Sequence, residues 1–466
     1  MCNDTSWRFK SPIIDDSPII KKTSSKKWGF LIHINTMLIK ELYEIFTKHP
    51  VISTDSRRIE KNSLFFALKG ENFNGNAYSS LAIDNGAAFS VIDEAEYKIN
   101  ERYIVVDNVL STLQELATYH RIKLGIPIIA ITGTNGKTTT KELVTNVLSK
   151  KHIVEYTRGN LNNHIGVPLT LLTMNTSTQI GVVEMGANHP GEIAALCEIA
   201  LPDFGLITNV GKAHLEGFGS FEGVKKTKAE LYRFIEKHNG KVFLNTSNNH
   251  LKEMAGDADT ICYKTTSTGE GIEGELIQSS PYMVFQVRFP KGWLYIKTNL
   301  AGGYNHENAL AAVCIGDFFG VSPLEISNAI ENYKPSNNRS QFIKTAHNLI
   351  LMDAYNANPS SMDAALDNFK TFDATLKGVI LGDMLELGET SLEEHQKIAD
   401  KLETINLAMV LLKGSEFSKC LVSPNFLVFD NNTQINSYLE SIKPEGFLFL
   451  IKGSRGMKLE EVIAKL

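Results

Sequence analysis

Apolar and polar positions fall into three blocks with different rhythms. From 37 to about 120 the runs LFFAL (64–68), FSVID (89–93) and YIVVD (103–107) read as short strands separated by helical spacing, which predicts a small mixed α/β domain. From 121 to 335 the strands lengthen. IPIIAIT (126–132) is apolar without a break, as a strand covered on both faces must be. A helix with Leu143, Val144, Val147 and Leu148 on one face follows it. The runs HIVEYT, IGVVEM, FGLITNV and KVFLN continue the alternation, which predicts a doubly wound, mainly parallel sheet. Residues 282–300 differ: they alternate and turn about PKG, which predicts an antiparallel hairpin beside that sheet. The polar stretch KPSNNRSQ (334–341) marks a boundary. Beyond it LILMD, GVILGD, AMVLLKG and FLFLIKG predict a second α/β series over 336–466. Ser322 to Glu325 and Ser391 to Glu394 have the spacing of capping boxes that start helices. Segment 1–36 is polar and reads as a disordered extension, with Met37 as the natural start.

Composition agrees with this division. The chain has 466 residues, 43% hydrophobic and 21% charged, which suits about three globular domains at roughly 150 residues each. Lys plus Arg is 47 and Asp plus Glu is 52, a formal net charge of -5, so nothing global favours nucleic acid. Cys2, Cys197, Cys262, Cys314 and Cys420 are dispersed with no CxxC pair. That pattern reads as reduced thiols in a cytoplasmic protein, not as a disulfide frame or a zinc site. No apolar run reaches the roughly 18 residues of a membrane span. A monomer is expected.

The strongest chemical signal is Gly133-Thr134-Asn135-Gly136-Lys137-Thr138-Thr139, set between an apolar strand and an amphipathic helix. Glycines let backbone amides approach oxygen atoms, and the helix N-terminus adds partial positive charge. Lys137 supplies a full charge for the β- and γ-phosphates of ATP, and the Thr138 hydroxyl suits Mg²⁺. The loop is shorter than the GxxxxGK[ST] pattern, whose first glycine would fall at Ile131. Glu184 ends the strand IGVVEM and offers a carboxylate to a hard cation. His214 and Lys228 carry little weight singly.

As a set, the motifs resemble the Mur ligase family, the ATP-dependent amide-forming enzymes of peptidoglycan synthesis. They include TDSRRIEKNSLFFALKGENFNGNAY, ITGTNGKTTTKE, GNLNNHIGVPLTLL, VVEMGANHPGEI, TNVGKAHLEGFGS, NHENALAA, DAYNANPSSM, LGDMLELGE and IKGSRGM, and the likeness runs over 37–466. The shortened phosphate loop is the form this family uses. The resemblance implies three α/β domains: a UDP-substrate-binding domain over 37–120, a central P-loop domain over 121–335 and a C-terminal Rossmann-like ligase domain over 336–466. It implies that Gly133 to Thr139 hold ATP, that Asn305 contacts adenine and that Arg339 reaches back to the phosphates. Thr138 and Glu184 would bind one Mg²⁺ and His214 a second, with Lys228 serving as a metal ligand once carbamylated. Asp55, Ser56 and Arg57 would meet the uridine nucleotide, and Asn162 and Asn163 the sugar–peptide. Asp353, Tyr355, Asn356 and Asn358 would position nucleotide and D-alanyl-D-alanine, with Asp353, Lys137, His214 and Lys228 closest to the chemistry. Met384 and Leu385 are candidates for the dipeptide pocket.

The implied reaction phosphorylates the carboxylate of UDP-N-acetylmuramoyl-tripeptide and lets the amine of D-alanyl-D-alanine displace phosphate. Closure about 334–338 would exclude water. The rival readings are a sister ligase adding the third peptide residue, a folylpolyglutamate synthetase, and a nucleotide-binding module without ligase chemistry. DAYNANPSSM and LGDMLELGE favour the dipeptide-adding branch, and no DNPR-like motif marks the sister enzyme.

Overall fold

The computed structural model describes residues 38–265, 271–336 and 338–466; the expected extension 1–36 and the start at Met37 lie outside them. The chain forms two compact units. One takes the chain up to Ile128 together with Thr157–Val183 and Leu196–Leu201. The other takes Ile129–Tyr156, Glu184–Ala195 and Pro202–Leu466.

In the first unit β1 (Ile52–Ser53), β2 (Leu64–Phe66), β3 (Phe89–Ile92) and β4 (Tyr103–Val105) form a parallel sheet in that order. Phe65, Ala67, Ala82 and Ile92 are among its core residues. The helix Val109–Leu124 starts at Asn108, whose side chain accepts from Ser111 N, and stops at Gly125 in the left-handed region.

The large sheet carries β5 (Ile128–Thr132), β6 (Val154–Tyr156), β7 (Ile180–Glu184), β8 (Phe204–Ile207), β9 (Lys241–Asn245), β10 (Thr260–Lys264), β11 (Ile272–Gln278), β12 (Val284–Phe289) and β13 (Gly292–Lys297). Their order is β13-β12-β11-β10-β9-β8-β5-β7-β6. All five residues of β5 are buried, as its unbroken apolar run requires. The PKG hairpin forms as expected, but it does not stand beside the sheet. The unforeseen strand β11 pairs parallel with β10 and antiparallel with β12, so the hairpin extends the sheet's edge.

The last sheet has β14 (Gln341–Lys344), β15 (Leu349–Met352), β16 (Leu376–Gly382), β17 (Met409–Lys413), β18 (Phe426–Phe429) and β19 (Phe447–Lys452), in the order β14-β15-β19-β16-β17-β18. Only β14 runs antiparallel to its neighbour. Period-two alternation divides it between two cores. Val379 and Leu381 enter one and Ile380 the other, and β19 splits likewise at Leu450 and Ile451.

Helix Pro359–Lys370 buries Met362, Ala365, Leu366 and Phe369, an i, i+3, i+4, i+7 stripe. The capping box at Ser322 and Glu325 is present. The one expected at Ser391 and Glu394 is not. A 3₁₀ turn, Gly388–Thr390, runs straight into helix Ser391–Glu403, so Ser391 is already helical and cannot take the extended cap conformation. Its hydroxyl donates to Glu416 Oε2 at 2.8 Å. Glu394 instead accepts from Lys212 and Lys397 at 2.9 and 3.0 Å.

Candidate active site

The phosphate loop joins β5 to helix Lys137–Leu148. Two glycines are required there by geometry. Gly133 has φ +142 and a Cβ on it would meet Thr208 Oγ1 at 2.0 Å; Gly136 has φ +79 and a Cβ would meet Asn308 Oδ1 at 2.5 Å. The loop is braced by 208–211, which follows β8. Thr134 N donates to Asn209 O and Asn135 N to Asn209 Oδ1, both at 2.9 Å. Thr208 Oγ1 donates to Asn135 O at 2.6 Å, and Gly211 N to Thr134 Oγ1 at 2.9 Å.

Lys137 Nζ donates to the loop carbonyls of Gly133 and Thr134 at 2.8 and 3.0 Å. Burial, helped by the Arg339 charge and opposed by Glu184, brings its pKa down to about 8. Thr138 Oγ1 donates to Glu184 Oε1 at 3.2 Å, so the two expected metal ligands do meet. Lys141, one turn further along and 1% exposed, stands 3.6 Å from the other Glu184 oxygen.

Lys228 lies on helix Phe221–Lys237, capped by Ser220, and is 2% exposed. Its Nζ sits 5.5 Å from the Phe218 ring centre. Burial, reinforced by the Lys137 charge against Glu192 and Glu230, lowers its pKa to about 7. His214 has φ +49, a strained conformation for a residue with a side chain. Its Nδ1 is hydrogen-bonded to the carboxylate of Glu386, itself at φ +64. Burial holds the imidazole below its ordinary range, with Lys137 and Lys228 adding to the shift and Glu386 opposing it. The neutral ring with its proton on Nδ1 keeps the Nε2 lone pair for a ligand.

Asn305 is 2% exposed; its Nδ2 donates to Ala301 O at 2.7 Å and its Oδ1 accepts from Asn308 Nδ2 at 3.0 Å. Asn308 Oδ1 accepts in turn from Thr140 Oγ1 at 3.1 Å. Asn305 thus braces helix Lys137–Leu148 through Asn308. Arg339 lies over the Tyr355 ring at 3.6 Å, and its buried Nε has no hydrogen-bond partner. Asp353 accepts from Lys452 Nζ at 2.6 Å and from Ser340 N at 3.1 Å. Asn358 caps helix Pro359–Lys370 and donates through Nδ2 to Asn135 Oδ1 at 2.8 Å. Asn356 is exposed beside it, its Oδ1 accepting from Ala357 N. Met384 is 1% exposed and packs in the C-terminal core, whereas Leu385 is 45% exposed and lines a cleft with His214, Asn356 and Glu386.

Among the described residues no three His, Cys, Asp or Glu side chains form a metal cage. Mg²⁺ takes one or two protein ligands and fills its shell with waters and substrate oxygens. The oxygen pair Thr138 and Glu184 fits it.

In the first unit, Arg57 grips Asp55 through two bonds of 2.9 and 2.8 Å. These hydrogen bonds hold the Asp55 carboxyl down to about 2. Ser56 O accepts from Asn85 Nδ2 at 3.1 Å. Asn163 Oδ1 accepts from Gly166 N at 2.9 Å at the start of helix Gly166–Thr173, and Asn162 N donates to Asn160 O.

Glu386, Asn308, Lys141, Lys452 and the brace at Thr208 and Asn209 were not foreseen. Each lay inside a motif visible in the sequence, but only its partner in space discloses what it does.

Family models match three consecutive stretches: "Mur ligase family, catalytic domain" over 50–130, "Mur ligase middle domain" over 131–316 and "Mur ligase, glutamate ligase domain" over 338–455. The UDP-N-acetylmuramoyl-tripeptide–D-alanyl-D-alanine ligase of Bacillus subtilis is 34% identical, covering 91% of this chain and 94% of that protein. The protein of the same name from Haemophilus influenzae is 35% identical, covering 89% and 93%. A crystal structure of MurF from Acinetobacter baumannii superposes with a TM-score of 0.80 at 32% identity, covering 89% of this chain and 92% of that one. MurF of Thermotoga maritima in complex with ADP gives 0.79 at 26% identity, covering 90% and 97%. With its phosphate loop, carboxylate–threonine pair and buried lysine set in a match that spans all three stretches, this chain belongs to the Mur ligase family.

Proposed function

We propose that this chain joins D-alanyl-D-alanine to UDP-N-acetylmuramoyl-tripeptide at the expense of ATP, a cytoplasmic step of peptidoglycan precursor synthesis. One observation carries the reading. Lys137 of the phosphate loop stands near two further basic groups: Lys228, whose pKa its charge lowers, and Arg339, whose charge lowers its own. Such a concentration of like charge is costly when buried and is offset by a polyanionic ligand. The buried, unpartnered Arg339 Nε supports the same ligand.

The chain's residues then divide the work. Loop amides and Lys137 hold the ATP phosphates, with Lys137 exchanging the Gly133 and Thr134 carbonyls for phosphate oxygens. Thr138 and Glu184 would hold Mg²⁺ and His214 would serve a second ion; bound there, the metal would supply charge neutralisation for phosphoryl transfer. Arg339 neutralises the same charge from the C-terminal side. The γ-phosphoryl group passes to the tripeptide carboxylate. The acceptor amine attacks the resulting acyl phosphate, the C–O bond breaks, and phosphate leaves with the former carboxylate oxygen. Asp55, Ser56, Arg57, Asn162 and Asn163 belong to the UDP-substrate side. Among the described residues no helix is long and apolar enough to cross a membrane, and every substrate is a small molecule.

The test uses tripeptide substrate labelled with ¹⁸O in its terminal carboxylate. Label in the released phosphate, formed only when dipeptide and ATP are both present, is the expected result. Unlabelled phosphate, or release without dipeptide, overturns the reading in favour of a plain ATPase.

A further inference from the structure

We infer that the cleft beside His214 holds the acceptor dipeptide as a zwitterion and that Arg455 is the anchor for its carboxylate. The inference rests on the ligase reading above and assigns a binding residue within it.

Loops from two parts of the second unit build this cleft. His214 and Ala213 follow the brace of the phosphate loop. Ala357, Leu385, Glu386 and Arg455 come from beyond β15, β16 and β19. Its charged lining is one carboxylate, Glu386, and one guanidinium, Arg455. Its apolar lining is short: Ala213 and Ala357 are each 3% exposed, and Leu385 closes the wall. A dipeptide with two methyl side chains, an ammonium at one end and a carboxylate at the other matches both features. Its chain spans about 7 Å, so both ends are read within one small cleft.

Arg455 is built for such a task. Among the described residues its side chain's only hydrogen bond is from Nη1 to Glu460 Oε1 at 2.8 Å. That contact steadies the side chain and leaves Nε and Nη2, one edge of the planar fork, for a carboxylate gripped through two parallel bonds. Polarity sets the direction of the ligand. His214 stands three residues past Gly211, whose N donates to Thr134 Oγ1 of the phosphate loop, so that end faces the phosphoryl chemistry. The amine, once its ammonium has released a proton to solvent, must be there to attack, which sends the carboxylate to the Arg455 end. A lysine or a neutral side chain at 455 would lose the two-pronged grip.

The experiment compares D-alanyl-D-alanine with its C-terminal amide as acceptors, in wild type, Arg455→Met and Arg455→Lys. Wild type should use the acid better than the amide by roughly ten- to a hundredfold in kcat/KM, the range of a charge-assisted pair. Arg455→Met should raise KM for the acid by a similar factor and erase the preference, with KM for ATP and for the UDP-tripeptide and the melting temperature unchanged. Arg455→Lys should recover part of the preference. Equal use of acid and amide by wild type overturns the anchor while leaving the ligase reading standing, and it does so even if the methionine variant fails to fold. A folded Arg455→Met that keeps the wild-type preference, or loses both acceptors equally, overturns it too. Absence of any dipeptide-dependent phosphate release in wild type takes down the ligase reading and the anchor with it.

Discussion

Single side chains here are set by charge and burial. Lys137 is the cation that the loop itself supplies, so Lys137→Ala should reduce turnover on the order of 10³-fold or more, measured as phosphate release at saturating ATP. Lys228 makes a different prediction. It is 2% exposed, has no ion pair or hydrogen bond among the described residues, and lies beside Lys137. A neutral amine in that setting can take up CO₂ to become an anionic oxygen ligand, as the family resemblance implies. Short carboxylates should then partly restore Lys228→Ala, and removing bicarbonate should slow the wild type; no response to either would count against the carbamate. The stability sign follows from the same shift. A lysine whose folded pKa is about 7, below its unfolded value of ~10.4, binds more protons unfolded than folded between those limits, so stability rises with pH across that window. Lys228→Met should therefore melt above wild type most clearly below pH 7, and the advantage should shrink as pH approaches 10.

At the level of elements, the loop and its braces act together. Gly136→Ala meets both the left-handed φ and Asn308 Oδ1, so the loop must shift. The expected outcome is a large rise in KM for ATP with a smaller loss of melting temperature, since the sheet beneath is untouched. Asn358→Ala removes a helix cap, worth ~1 kcal/mol, together with the bond to Asn135. Its melting temperature should fall by a few degrees and KM for ATP should rise; a change in stability alone would show that the Asn135 bond is idle. These elements were largely visible beforehand. The phosphate loop, the Ser322 cap and the stripe on helix Pro359–Lys370 are written within a few consecutive residues. The missing cap at Ser391 shows the limit of such reading, because the preceding 3₁₀ turn had already fixed the backbone. The strand β11 was missed because its seven residues, IEGELIQ, of which only one is buried, carry few apolar side chains.

At the scale of the whole second unit, polar contacts fasten the phosphate-loop part to the C-terminal sheet. Asn358 meets Asn135, Lys212 meets Glu394, Lys212 N donates to Ser360 Oγ at 2.8 Å, and Glu386 meets His214. The Lys212–Glu394 pair is half exposed on the lysine side, so it contributes no more than about 1 kcal/mol. Glu394→Gln should leave melting within a few degrees and make kcat less sensitive to salt than in wild type. By contrast Lys452, 2% exposed, pairs with Asp353. Lys452→Met strands a carboxylate there, and a loss of ~3–5 kcal/mol in chemical unfolding is expected.

What the sequence determined alone was everything that a short run of residues can encode. That covers the apolar strand leading into the phosphate loop, the amphipathic helices, the absence of a spanning segment in the chain's hydropathy, and a motif set specific enough to mark the family. Tertiary structure decided which motifs meet. Glu386 finds His214 across 172 positions and Asn308 finds Thr140 across 168; no periodicity links residues so far apart. Their encounter depends on sheet order and loop path, which arise from burying several apolar faces at once, a condition that no local stretch of chain records.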